Sequence, residues 1–458
     1  MQLNGYLVVD EEALVGLKIP ESVQSLLLSR LDRISAEART LLQASAVIGR
    51  EFDRQTLQYA LMGLPVRNMA AALEELITAR LIRQVVKEPP TYIFQDEAIQ
   101  EVVYESIPYA RRQRWHASVA DWLVATHGRH AKATYPLIAY HYGRTDLHER
   151  GLEFALGAAD EAFAQQSAQS ALELYGQAEM HLAALPNSAA LWVTAVHIWL
   201  RRGELLRQAG KFELAINDAR QAARLAREQR DALRAALSYN LLARLLVHTA
   251  ACSEALELTG LITHGLANHI PLSEVGHALV TQGEAQSYLG QFVPARASFG
   301  RALDLFTQAE DHSGLIRTHI VFGYEYASML GDWVEARRHL ENAQRLLSHT
   351  SFKDALEVMR LWLGLAQLEL RRGSRPQAEA HLATAAHLLQ GGSINWWRPT
   401  LLYYQAIYKL GVPEVDGRGG CWKRGKRPCK KGAIPIICRS FCSIWRIWRR
   451  MWWRSIAT

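Results

Sequence analysis

The stretch QAGKFELAINDARQAARLA, residues 208–226, returns in altered form as YLGQFVPARASFGRALDLF at 288–306, MLGDWVEARRHLENAQRLL at 329–347 and RRGSRPQAEAHLATAAHLL at 371–389. Each copy has a glycine, an alanine five residues on, an apolar residue four later and another alanine three after that. The marker alanines are Ala215, Ala295, Ala336 and Ala378, with a weaker copy at Ala255 and an earlier one at Ala171, so successive markers lie 44, 40, 40, 41 and 42 residues apart. Self-similarity at a fixed period of this length is the mark of a repeat architecture. Each copy reads as a helical hairpin. Gly210, Gly290, Gly331 and Gly373 stand where helix A must end, because glycine takes the left-handed conformation of a helix C-cap without steric cost. The small alanines let helix B approach helix A, while Leu, Phe and Tyr fill the gaps between hairpins. About six such units over residues 151–415 would stack so that neighbours bury one another's apolar faces.

The first 150 residues have a different rhythm. IPESVQSLLLSRLDRI (19–34) starts with a proline and carries apolar residues at helical spacing, and SAEARTLLQASAVI (35–48) opens on a serine cap. DRQTLQYALMG and VRNMAAALEELITARLI read as two further helices, and LIRQVVKEPPTYIFQ as a β-hairpin around Glu88, Pro89 and Pro90. Short helices followed by a hairpin make a winged-helix pattern over residues 35–110, with a helical connector at 111–150 and the end of an earlier helical segment at 1–34. The fold class expected is therefore all-α: a winged-helix module, then an α-solenoid of long repeats.

The hairpins resemble tetratricopeptide repeats, with Gly203, Gly283 and Phe299 at that family's small and aromatic positions, although the unit is about 40 residues rather than the usual length. The ordered runs IPESVQSLLLSRLDRISAEARTLLQASAVIGREF, LEELITARLI and YIFQDEAIQEVVYESIPYARRQRWH are similar to the segment that follows the nucleotide-binding core in STAND-type signal-transduction ATPases. Those are large bacterial regulators, adenylate-cyclase-linked, LuxR-type or maltose-regulon-activator-like, that join an ATPase core, a winged helix and tetratricopeptide repeats. The resemblance implies a cytoplasmic regulator whose repeat array holds or releases the ATPase switch when a ligand arrives. It departs from the family in two places. No G-x-x-x-x-G-K-[ST] loop occurs, so ATP or ADP would act only through a missing or separate nucleotide-binding domain, and the chain reads as a truncated or split gene product. Where family members commonly place a histidine two residues after the wing phenylalanine, this chain has Phe94, Gln95 and Asp96, and an aspartate repels a phosphate. Asp96 also reads as a plain cap of the helix that follows.

The formal net charge of +7 is unevenly placed: residues 416–458 hold twelve Lys/Arg and one acidic residue, +11, which leaves 7 − 11 = −4 for the first 415. The same tail holds Cys421, Cys429, Cys438 and Cys442, whereas the body has Cys252 alone. One cysteine in the body points away from a disulfide framework, the acidic Asp10, Glu11 and Glu12 oppose a signal peptide, and no run of eighteen apolar residues suggests a membrane helix. The tail's cysteine spacing fits no paired zinc motif. Reading a GC-rich gene one base late turns leucine codons into tryptophan and cysteine, which would account for its five Trp and four Cys; a genuine basic RNA- or membrane-binding arm is the other reading left open.

Enzyme signatures fail. His148 and Glu149 lack the second histidine of H-E-x-x-H, no G-x-S-x-G occurs, and His127 and His130 have no third ligand in sequence reach. The candidate recognition helix sets Glu74 and Glu75 against Arg67 and Arg80, where phosphate contacts need a positive surplus. The expectation is a non-catalytic regulatory scaffold without cofactor or metal in this chain, binding a protein, peptide or small effector, or a separate ATPase or cyclase half, through its repeats. The alternative is a nucleic-acid-binding transcriptional regulator that uses the winged helix and the basic tail. Counting back from the marker alanines puts Glu204, Arg207, Asn240, Arg244, Glu284, Tyr288, Glu325 and Gln367 on the concave face of the A helices. As a set they suit an extended polar peptide, and charge reversal at Arg207 and Arg244 is expected to weaken its capture without unfolding the array.

Overall fold

The computed structural model describes residues 2–3, 6–7 and 29–410, apart from 63, 65, 66, 129, 130, 187, 351, 353 and 391–393. Most of the expected helix at 19–34, His130 and the tail at 416–458 therefore lie outside the described residues. The chain divides into two compact units, Met1–Ser188 and Ala189–Thr458. The division falls one hairpin later than the boundary drawn from the sequence at residue 150, so the hairpin carrying Ala171 belongs to the first unit.

In the first unit β1 (Gln2–Leu3) pairs antiparallel with β2 (Tyr6–Leu7). Helix α1 (Ala36–Ile48) opens on Ser35, whose hydroxyl accepts from the Ala38 amide. Glu75 closes the same cap from another helix, accepting from the Ser35 amide at 2.7 Å and its hydroxyl at 2.6 Å, and these bonds lower its pKa. Then come β3 (Glu51–Asp53), α2 (Arg54–Ala60), α3 (Met69–Thr78), β4 (Ile82–Val86) and β5 (Thr91–Phe94). The hairpin β4–β5 sits where the sequence puts it, and β3 completes an antiparallel sheet of order β3-β5-β4. Only three residues long, β3 offers no alternation for a sequence pattern to reveal. Leu41, Leu42, Leu57, Leu76, Phe94 and Trp115 share one core beneath the sheet and helices. Helix α4 (Glu97–Glu105) is capped by Asp96, which accepts from the Ala98 amide at 2.9 Å. Helices α5 (Tyr109–His127) and α6 (Tyr135–Tyr142) follow, then the hairpin α7 (His148–Ala164) and α8 (Ala168–Ala184).

The second unit is a run of helical hairpins: α9 (Trp192–Gln208) with α10 (Phe212–Glu228), α11 (Ala232–His248) with α12 (Cys252–Gly260), and α13 (Leu272–Tyr288) with α14 (Phe292–Gln308). Next, α15 (His312–Val321) runs on through a π-helical turn, Phe322–Ala327, and pairs with α16 (Trp333–Leu347). Helices α17 (Ala355–Arg372) and α18 (Arg375–Leu389) form the last pair, and α19 (Arg398–Leu410) packs after them.

The marker alanines do what their size requires: Ala215, Ala255, Ala295, Ala336 and Ala378 are all 0 % exposed. Gly210, Gly290, Gly331 and Gly373 take φ of 73, 75, 76 and 79°, the left-handed turn between helix A and helix B. At Gly283 the reason for glycine is close approach, since a Cβ there would sit 2.8 Å from the Phe299 ring. The fold is thus all-α, a tetratricopeptide-like array of helical hairpins with a small three-stranded sheet near its start.

The array in this unit coils tightly enough to meet itself. The Trp396 indole donates to the Gln208 carbonyl at 2.8 Å, 188 residues away in sequence, and lies edge-on to Phe212 with ring centroids 5.1 Å apart. The A helices consequently point their inner faces at one another instead of lining an open trough.

Candidate functional site

The inner face of the second unit carries a network of opposed charges drawn from A helices. Asp354 caps α17, accepting from the Leu356 and Glu357 amides at 3.1 and 3.3 Å. Its second oxygen takes Arg207 of α9 at 2.7 Å and Arg244 of α11 at 3.0 Å. Arg207 also holds Glu204 at 2.6 Å, and Arg244 lies 3.6 Å from Glu204. One turn further along α17, Arg360 meets Glu284 of α13 at 3.0 Å, Glu357 at 3.5 Å and Glu325 of the π-helical turn at 3.8 Å. Arg317 of α15 donates to the Thr281 hydroxyl at 3.1 Å and approaches Glu357 at 3.7 Å.

The eight residues expected on the concave face fall as follows. Glu204, Arg207, Arg244, Glu284 and Glu325 belong to this network, and Tyr288 joins it by donating its hydroxyl proton to Glu325. Asn240 stands apart, donating to the Glu274 carbonyl at 3.1 Å and carboxylate at 3.0 Å, and Gln367 is buried further along α17. Asp354, Glu357, Arg360 and Arg317 are the members that the sequence reading missed. They sit in the first two turns of their A helices, and their contacts across the inner face span 36 residues for Arg317 to Thr281, 76 for Arg360 to Glu284 and 147 for Asp354 to Arg207.

Arg207 has no exposed surface and two carboxylate partners, so reversing its charge would break buried pairs rather than trim a surface contact. The expectation that the Arg207 and Arg244 reversal spares the fold is corrected on that ground. Tyr288 is the accessible member, 38 % exposed, yet burial among neighbours, with Glu325 and Glu284 beside it, holds its hydroxyl proton well above the ordinary tyrosine range. Burial, aided by Glu284 and Glu357 and opposed by Arg360, raises Glu325 to about 7. Asp354 is held far below the usual carboxylate range: burial works against ionisation, but Arg207 and Arg244 outweigh it.

The arrangement has charge, hydrogen-bond donors and one exposed aromatic ring, which is recognition chemistry. Among the described residues no group of three or more His, Cys, Asp or Glu is placed to hold a metal ion, and no helix is long and apolar enough to cross a membrane.

No protein-family model and no curated protein matches the chain. Solved structures to which it is similar include a Rap protein complexed with competence and sporulation factor, at 14 % identity over 69 % of this chain and 94 % of that one, TM-score 0.42. Aspartyl phosphate phosphatase F from Bacillus subtilis aligns at 12 % identity over 90 % and 99 %, TM-score 0.42. A STAND protein with a tetratricopeptide repeat sensor from Pyrococcus horikoshii aligns at 13 % identity over 85 % and 67 %, TM-score 0.32.

Proposed function

We propose that this chain is a non-catalytic regulatory scaffold that captures an extended peptide, or the polar segment of a protein, on the inner face of its second unit. The observation that carries the reading is the convergence of polar side chains from successive A helices on one inner face, with Tyr288 exposed beside them. A surface built only to stabilise the coil would be expected to be apolar, since replacing buried ion pairs by well-packed hydrophobic residues is often neutral or stabilising. Charge and amide groups along such a face instead select a partner by complementarity.

The same reading keeps the broader architecture as a proposal: residues 35–110 are a winged-helix module, and the chain is the portion of a STAND-type signalling ATPase that lies beyond the nucleotide-binding core. Its support is the order of the elements, three helices and a hairpin ahead of the repeats. The ligand-bound array would then act on an ATPase or cyclase partner in the cytoplasm.

The experiment is selection of peptides from a displayed random library against the full chain, followed by Tyr288→Ala. The substitution is expected to weaken capture of the selected peptides at least tenfold while the far-ultraviolet dichroism stays unchanged. Capture that is indifferent to Tyr288→Ala would move the site away from the inner face.

A further inference from the structure

One guanidinium on the inner face is under-neutralised. Arg207, Arg244 and Arg360 each have a carboxylate oxygen at contact distance, 2.6, 3.0 and 3.0 Å, whereas Arg317 approaches the carboxylate of Glu357 only to 3.7 Å. Glu357 is itself divided among cations, 3.5 Å from Arg360 and 3.9 Å from Arg244. Arg317 is 5 % exposed, and its bond to Thr281 leaves Nε and Nη1 with no hydrogen-bond partner. Nη1 of Arg207 is orphaned in the same way. Buried donors are almost always satisfied, and a buried charge needs a paired, hydrogen-bonded neighbour to be tolerated.

We propose that Arg317 anchors a binding site for a carboxylate group, which would reach it from the inner face between α13 and α15 and take the unused donors of its guanidinium. The His277 side chain, 30 % exposed and 3.8 Å from Asp311, lies close enough to feel the charges of Arg317 and Arg244. Burial, with Arg244 and Arg207 nearby, pulls the pKa of Arg317 down to about 10, the direction of a cation short of compensating charge. A singly charged carboxylate fits better than a doubly charged phosphate, because Glu357 and Glu284 already contribute negative potential at Arg317. This rests on the reading of the inner face as the ligand surface and adds the ligand's chemistry: an acidic side chain or small organic acid.

The test uses the full chain and three probes, propionate, the blocked peptide acetyl-Ala-Glu-Ala-Ala-amide and its Gln counterpart, with binding followed by ligand-detected NMR. Wild type should bind the Glu peptide at least tenfold more tightly than the Gln peptide. Arg317→Gln should erase that preference, whereas Arg338→Gln, at a side chain 65 % exposed, should leave it intact. Should Arg317→Gln fail to fold, Arg317→Lys keeps the charge with a different donor geometry, and the preference should fall several-fold. Binding of propionate without the peptide would assign the site to a small acid, and binding of both to an acidic segment; each supports the proposal. Glu and Gln peptides that both bind and bind equally, a preference that survives loss of Arg317, or no binding of either acidic probe overturns it. In that last case, library peptides that still depend on Tyr288 would leave the inner-face reading standing, and only the carboxylate site would fall.

Discussion

Ala250 occupies the place between helix A and helix B that glycine holds in the copies marked by Ala215, Ala295, Ala336 and Ala378, and it takes a left-handed φ of 63°. A Cβ in that conformation costs roughly 1–2 kcal/mol, while glycine brings about 0.4–1 kcal/mol of extra unfolded-chain entropy. Ala250→Gly should therefore stabilise the second unit by about 0.5–1 kcal/mol. Gly290→Ala is the mirror experiment. A Cβ there meets nothing within 4 Å, so steric contact is removed from the comparison and a loss of similar size is expected from backbone conformation alone. Urea midpoints of the two variants should move in opposite directions, and midpoints that move together would show that the turn conformation is not what selects glycine in these copies.

Helix α17 begins at Asp354, and that one carboxylate serves two levels of structure. It supplies the cap that its helix needs and the anchor to which α9 and α11 are tied through Arg207 and Arg244. Asp354→Ala should destabilise the second unit by about 3–5 kcal/mol for the broken buried pairs, and by about 1 kcal/mol more for the cap. Asp354→Asn keeps a capping oxygen but removes the charge, so it should lose the ion-pair part, about 3–5 kcal/mol, and spare the roughly 1 kcal/mol of the cap. The diagnostic readout is distant: amide exchange in α9, 147 residues from Asp354 at Arg207, should accelerate along with that of α17. Exchange in α9 that ignores the substitution would mean that the elements are held together by apolar packing alone. The helices themselves were legible in the sequence, since Ala215, Ala295, Ala336 and Ala378 announce each hairpin and all are buried where the pattern says. How tightly the hairpins coil was not legible. The partners of Arg207 and Arg360 lie far along the chain, and a repeat pattern fixes neighbours without fixing the pitch that brings distant turns together. The π-helical turn at Phe322–Ala327 was also hidden, because the apolar spacing of helix A continues through it.

Each of the two units packs a pair of histidines against one another in its interior. His116 and His141 share a hydrogen bond between their Nδ1 atoms at 2.9 Å in the first unit, and His319 and His339 do the same at 2.7 Å in the second. Burial is the first cause of the shift at every one of the four, with nearby arginines adding to it. It lowers His116 and His339 to about 3 and His141 and His319 to about 4. A folded pKa below the unfolded value near 6.5 means that the unfolded chain takes up the proton first. The contribution of these groups is complete above pH 6.5 and is lost as the pH falls towards 4 and 3. Glu325 works in the opposite sense. Raised to about 7, it favours the folded state increasingly as the pH drops from 7 to about 4.5, but it is one group against four. At roughly 1.4 kcal/mol per unit, moving from pH 6.5 to 5 should remove about 2 kcal/mol for each fully buried imidazole before any relaxation. The thermal midpoint should accordingly fall steeply between pH 6.5 and 5, a window in which Glu325 offsets only part of the loss. His339→Leu should flatten the fall for the second unit, which hydrogen exchange resolved by segment can separate from the first. A midpoint that is level from pH 7 to 5 would show that these imidazoles take up protons without opening the structure.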